Sequence, residues 1–320
     1  MVKRSNQVIL ILINIGVLVG KSDYKTLSRY VSSYLGNLKT HEVCINDQEW
    51  KYIEGGKGEE TIIFIHGLMG SKMLWRSLMQ HYMADYRVIA LDIPGLFVEQ
   101  RLQTKRHTFR ELSNWLELFL EHLKVERFHL VAHSVGCGIG THFASTRPSR
   151  VSSIALLNHI DVCTDFNTSG KDRAIDGYLE DTDPTSLDSL EAWNSLFLKM
   201  FYVPPKVPQV IQRYRYRSFM KHYNGFVRVV EELNELKPMA LSYLRKIKCP
   251  VLTVNSSHDR FSSDSFYETL KHQVPWGQHV MIEQCGHMSF IEKHEQVVNS
   301  HHAFLKNLSP LAPKVVCELS

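Results

Sequence analysis

Six short apolar runs constrain this 320-residue chain more than any other feature. They are TIIFIHG (61–67), RVIALDIPG (87–95), FHLVAHS (128–134), VSSIALLN (151–158), PVLTVNSS (250–257) and HVMIEQCG (279–286). Each is nearly continuous in apolar residues and then breaks into small or polar ones, as a strand covered on both faces should. The segments between them have helical spacing. LWRSLMQHYMA lies between the first two. In FRELSNWLELFLEHL (109–123), Leu112, Leu116, Phe119 and Leu123 recur at steps of three and four. A further helix is expected over about 135–147, and another in FIEKHEQVVNSHHAFLKNL. Alternating strand and helix implies an α/β fold, a mostly parallel sheet with helices on both faces. HEVCINDQEWKYIEG (41–55) reads as an opening hairpin.

The rhythm fails between 162 and 245. Polar turns (DTDPTSLDS) give way there to the aromatic segments WNSLFLKMFY and YRYRSFMKHYNGF, with no clean buried strand. The expected organisation is a core built from 40–161 and 246–308, an inserted helical cap at 162–245 and a tail at 309–320. An apolar N-terminal helix occupies 1–30. Its run VILILINIGVLVG (8–20) follows Lys3 and Arg4. A helix there would be about 20 Å long, short of the roughly 20 residues that span a bilayer. Three readings stay open: an anchor or interface-seated helix, an export signal, and a helix packed on the domain. Membrane association leads, an exported protein is compatible with the same run, and a cytoplasmic one is the runner-up.

Composition narrows the function classes. The formal charge of +4 comes without a dense Lys/Arg block or a recognition module, so no nucleic-acid partner is expected. The six cysteines form no CxxC pair, which argues against a metal knuckle or dithiol centre. Buried free thiols are expected at Cys137 and Cys285. No metal and no cofactor is called for.

Ser134 sits in A-H-S-V-G, between an apolar strand and a helix start. A nucleophile elbow needs a sharp strand-to-helix turn with small neighbours two residues either side, which Ala132 and Gly136 supply. The plainer alternative is a serine that caps the helix. A serine nucleophile requires a base and an orienting acid. Asp259 follows one strand in SSHDRF, and His287 follows another in EQCGHMSF. In a parallel sheet these ends share one edge. Asp161 competes as the acid, Asp259 could cap a helix, and His287 could satisfy a turn. His133 points to the opposite face from Ser134 and is expected beside the site. His301 and His302 read as a solvated helix surface. The Val135 amide and that of Leu68, beside Gly67, are candidate oxyanion donors, with Met69 as an alternative to Leu68.

Taken together, these segments resemble the alpha/beta-hydrolase superfamily over about residues 40–308, specifically its capped serine esterases and lipases. FIHGLMGSKMLW resembles the oxyanion segment, LDIPG the strand and turn after it, AHSVG the elbow, and HDRF and CGHMSFIE the acid and base segments. The resemblance implies an alpha/beta-hydrolase fold with Ser134 as nucleophile, His287 as base, Asp259 as acid and Leu68 and Val135 as oxyanion amides. The N-terminal apolar run and FYVPPKVPQ (201–209) look most like the membrane-associated monoacylglycerol-lipase branch and related bacterial lipases. The chain departs from the family pattern at Ala132, at Cys137 and in LDIPGLFVEQ. Trp193, Phe197, Phe201, Phe219 and Met220 are candidates for an acyl pocket, although a cap also needs such residues simply to pack. The expected substrate is a small ester or lipid. A carbon–carbon bond hydrolase on the same scaffold and a non-catalytic binding protein are the alternatives.

Overall fold

Asn46 and Asp47 both adopt positive φ, 49° and 60°, and make the two-residue turn between β1 (Lys39–Ile45) and β2 (Gln48–Gly55). This antiparallel hairpin edges an eight-stranded sheet in a computed structural model that describes residues 37–94, 107–159, 187–221 and 223–308, with the side chains at 226 and 233–240 excepted. The apolar run at 8–20, Asp161, residues 162–186 and the tail 309–320 lie outside the described residues.

The other strands are β3 (Thr61–Ile65), β4 (Arg87–Leu91), β5 (Phe128–His133), β6 (Val151–Leu157), β7 (Val251–Ser256) and β8 (Gln278–Ile282). The order is β1-β2-β4-β3-β5-β6-β7-β8, and every pair beyond β2–β4 is parallel. All five residues of β3 are buried, because the sheet carries a core on each face. Ile63 and Ile65 point into one core with Leu116 and Phe119, whereas Ile62 and Phe64 point into the other with Trp75 and Phe304.

A 3₁₀ turn at Lys72–Trp75 leads into α1 (Arg76–Gln80). The expected helix over 74–84 is cut short there. The amides of His81 and Tyr82 bond back three residues, to Leu78 and Met79, and this tightening turns Tyr82 into the core. Helix α2 (Phe109–His122) begins with a capping box in which the Thr108 hydroxyl and Glu111 satisfy each other's amides. Helix α3 (Val135–Thr146) follows β5 directly and is buried along nearly its whole length.

Between β6 and β7 the described chain is helical: α4 (Leu190–Lys199), α5 (Gln209–Met220) and α6 (Tyr223–Leu244). These extra helices form the expected cap insertion. Trp193, Leu196, Phe219 and Val230 make its core, which rests on Leu68, Met69 and Phe261. Helix α6 serves both units, since Val229 and Leu244 pack in the sheet core with α3. Helices α7 (Asp264–Gln273), α8 (Ser289–Glu292) and α9 (His294–Leu308) complete the body.

One histidine departs from the sequence-based expectation. His301 is buried rather than solvated, with Nδ1 2.9 Å from the Tyr82 hydroxyl, while half-buried His302 stacks on the Tyr82 ring. Burial, reinforced by nearby histidines, draws the His301 pKa down to about 3. His133 is likewise drawn to about 3, by burial and then by His287, and His142 to about 4, by burial and then by Arg147. Below the ordinary value of about 6.5, the unfolded chain takes up protons that the folded chain refuses. The stability these groups contribute is therefore full above that value and lost as pH falls from about 6.5 toward 3. The urea midpoint should drop clearly between pH 7 and pH 4.5; an unchanged midpoint would contradict this.

Candidate active site

Ser134 occupies the junction of β5 and α3 with φ 54° and ψ −124°, a strained conformation for a residue with a side chain. The strain is held from several sides. The Ser134 amide bonds to Leu157 O at 3.1 Å, and the Cys137 amide bonds to Ser134 O at 2.9 Å. A Cβ on Gly136 would lie 2.6 Å from His66 O, so only glycine lets α3 start this close to β3. The Cys137 thiol is buried and free, and it donates to Ala132 O at 3.2 Å. Burial pushes its pKa well up, which makes it a packing residue here. Cys285 is also buried and free, as expected. The Ser134 hydroxyl does not cap α3, contrary to the plainer alternative.

The loop from His66 to Gly70 leans on this serine. A Cβ on Gly67 would come within 2.8 Å of the Ser134 Cβ. Met69 takes φ 60°, and the Gly70 amide closes the turn onto Gly67 O at 3.0 Å. His66 holds the loop in place: Nδ1–H donates to Gly67 O at 2.7 Å and Nε2 accepts the Ile93 amide at 3.0 Å. Burial lowers its pKa, in keeping with a neutral ring that donates at one nitrogen and accepts at the other. Asp92, fully buried, accepts from both the amide and the Nζ of Lys72, at 2.6 and 2.5 Å. Among the described residues, the amides of Leu68 and Val135 have no backbone acceptor. Val135 directly follows Ser134, and Leu68 directly follows Gly67, the residue whose Cβ position faces the Ser134 Cβ.

His287 and Asp259 meet beyond the ends of β8 and β7. Both carboxylate oxygens lie 2.9 Å from His287 Nδ1. Burial by itself would raise the Asp259 pKa, but His287, the Phe261 amide and the Asn158 amide group together hold it below the usual carboxylate value. Phe261 N–H donates at 2.9 Å and Asn158 Nδ2–H at 3.0 Å. Asp259 does not cap the next helix; Ser263 does that for α7. His133 lies beside the site, as expected, and ties its two halves together. Its Nε2–H donates to His287 O at 2.9 Å, and the two rings are 4.8 Å apart.

Three groups in this neighbourhood escaped the sequence reading. Asn158 directly follows β6 with φ 46° and bridges Asp259 to Ser256 Oγ, yet only the acid at 161 drew notice on that edge. Glu292 accepts the amides of Gly286, Tyr202 and Val203 at 2.7 to 3.1 Å and so clamps the cap to the loop bearing His287. Arg215 lies over the cap aromatics. Of the apolar cap residues, Trp193 and Phe219 pack in the cap core, whereas Phe197 and Phe201 join the sheet core; Met220 is half-buried against the cap cluster.

Known proteins share this arrangement of strands and helices. The description of the alpha/beta hydrolase fold matches residues 60–294. The chain is 21% identical over 263 residues to Lipase 1 of Psychrobacter immobilis, covering 79% of each protein. It is 26% identical over 264 residues to the dihydrolipoyllysine-residue acetyltransferase component of the acetoin cleaving system of Pseudomonas putida. It spans 65% of that protein, and 29% of the corresponding component of Cupriavidus necator. A membrane phospholipase A, described as a bacterial virulence factor, superposes with a TM-score of 0.77 at 24% identity, covering 89% of this chain and 91% of that one. A carboxylesterase of Bacillus subtilis superposes at 0.68 and 19% identity, covering 89% and 97%. These structural likenesses establish the fold. With the family match over residues 60–294, they lead to one conclusion: this chain belongs to the alpha/beta-hydrolase family.

Proposed function

We propose that the protein is a serine hydrolase of carboxylic esters, with Ser134 as nucleophile, His287 as base and Asp259 as orienting acid. One observation carries the reading: a strained elbow serine follows directly on His133, which is bonded to the backbone of a carboxylate-paired imidazole. Asp259 fixes the tautomer that leaves His287 Nε2 as the acceptor, so Nε2 takes the Ser134 proton as Oγ attacks the ester carbonyl. The Leu68 and Val135 amides donate to the oxyanion. His287 then protonates the departing alcohol and activates the water that releases the acyl group.

The substrate is lipid-like, a monoacylglycerol or a short- to medium-chain ester, and Trp193, Phe197, Phe201, Phe219 and Met220 are the candidates for its acyl pocket. Support comes from this aromatic cap and from relatives named as lipases and a phospholipase. The finer placement, in the membrane-associated monoacylglycerol-lipase branch, rests on residues 8–20 and FYVPPKVPQ. The proposed contact is a membrane surface met through residues 8–20; among the described residues no helix is long and apolar enough to cross a membrane.

One panel tests both parts. p-Nitrophenyl esters of increasing acyl length and 1-monoacylglycerols are offered to the full chain and to residues 30–320, with and without phospholipid vesicles. The expected result is turnover of short and medium esters and of monoacylglycerol, raised by vesicles only in the full chain. No ester turnover would overturn the activity, and an equal vesicle response would overturn the membrane contact. Labelling of Ser134 by a fluorophosphonate without ester turnover would favour the carbon–carbon alternative.

A further inference from the structure

Helix α5 lies on α4 through a face spaced at three and four residues: Gln212, Arg215, Tyr216 and Phe219. Gln212 accepts from Asn194 Nδ2 at 2.8 Å, the Tyr216 hydroxyl donates to Asp188 O, and the Phe219 ring is 6.5 Å from that of Trp193. Arg215 is the odd member of this face. Its guanidinium carbon lies 4.2 Å from the centre of the Phe197 ring and 4.7 Å from that of Trp193, two rings inclined to each other by only 5°.

Aromatic faces attract a guanidinium electrostatically, but they satisfy none of its five N–H donors. Among the described residues Arg215 has no hydrogen-bond or ion-pair partner. The contrast lies within the same chain. Half-buried Arg87 is paired with Glu54, and half-buried Arg147 and Arg150 share Glu117. Burial lowers the Arg215 pKa to about 9, with no carboxylate acting against it. Arg215 is half-buried like these, but its N–H donors face only water, which an incoming carboxylate or phosphate can replace with paired, charge-assisted bonds.

The rings beneath Arg215 connect it to the reaction centre. Trp193 packs in the cluster that touches Leu68, Met69 and Phe261, and the Phe261 ring is 4.8 Å from that of His287. Phe197 contacts Phe201, whose neighbour Met200 accepts the Met288 amide at 3.2 Å. Through these contacts the ring cluster under Arg215 reaches Leu68 and the ring beside His287.

We propose that Arg215 is an anion subsite, and that the preferred ester carries a carboxylate or phosphate group which the guanidinium binds through paired N–H donors. This rests on the ester-hydrolase reading and narrows it to anionic esters. The planar fork of arginine suits either oxyanion, so the chemistry is shared and the position of the charge separates the two sources.

The experiment measures kcat/KM for two matched pairs. Mono-4-nitrophenyl glutarate against 4-nitrophenyl pentanoate places the charge on the acyl side as a carboxylate. 1-Decanoylglycerol 3-phosphate against 1-decanoylglycerol places it on the alcohol side as a phosphate. In one pair the wild type should prefer the anionic member by about tenfold or more, the range of a charged hydrogen bond. Arg215→Gln should cancel most of that ratio, and Arg215→Lys should keep part of it. A wild-type ratio of one or below in both pairs would overturn the subsite, whether or not the variants fold. A ratio unchanged by Arg215→Gln would overturn it as well. Fluorophosphonate labelling of Ser134 keeps the two readings apart: labelling with no anionic preference refutes the subsite alone, whereas no labelling and no turnover refute the hydrolase and the subsite with it. Where labelling occurs but no ester turns over, slowing of wild-type labelling by glutarate or glycerol 3-phosphate, absent in Arg215→Gln, supports the subsite, and equal effects overturn it.

Discussion

Ser134→Ala should lower ester turnover by about 10⁴-fold or more while the protein stays folded, the scale set by removing a triad nucleophile. The hydroxyl does not cap α3, and alanine keeps the Cβ that already sits against Gly67, so the variant leaves the elbow packing in place. His287→Ala should cost a similar factor. The double variant should lose little more than either single one, because nucleophile and base act as a unit. Circular dichroism and rates on a short p-nitrophenyl ester test this directly. A Ser134→Ala protein that is folded and retains a tenth of the activity would exclude the serine mechanism.

Asp259→Asn is the second large effect, expected at about 10⁴-fold in kcat with the site geometry kept. Three donors converge on this carboxylate: His287 Nδ1–H, the Phe261 amide and Asn158 Nδ2–H. An asparagine can accept on one side only and must aim its own amide at another donor. The imidazole then turns to the tautomer that protonates Nε2, and the base has no lone pair for the serine proton. Loss of kcat with little change in KM is the expected signature, since Asp259 is buried and acts through His287 Nδ1. A fall of less than tenfold would mean that another acid orients His287.

Much of this was legible in the chain because its signals were local. TIIFI is apolar at every position, and each side chain found a core on one face or the other. Ala132, Gly136 and Gly138 announced the close packing around Ser134, and a Cβ at Gly138 would meet the Phe109 ring at 2.4 Å. What stayed hidden depended on partners far along the chain. His301 shares the buried face of α9 with Val297, Val298, Phe304 and Leu305, and the partner of its Nδ1 is Tyr82, 219 positions earlier. Asn158 looked like a strand end until Asp259 folded against it. Glu292 gave no hint that three amides of other segments would converge on it. Arg215 sits in a helix rich in polar residues, QVIQRYRYRSFM, where a solvated arginine is the ordinary expectation.

The shortest route to the central claim is peptide mapping of the protein after brief exposure to a fluorophosphonate. The account predicts a single phosphonyl adduct on the peptide containing Ser134, formed rapidly in the wild type and far more slowly in His287→Ala. Folded protein that carries no adduct at Ser134, or one at a rate indifferent to His287, would contradict it.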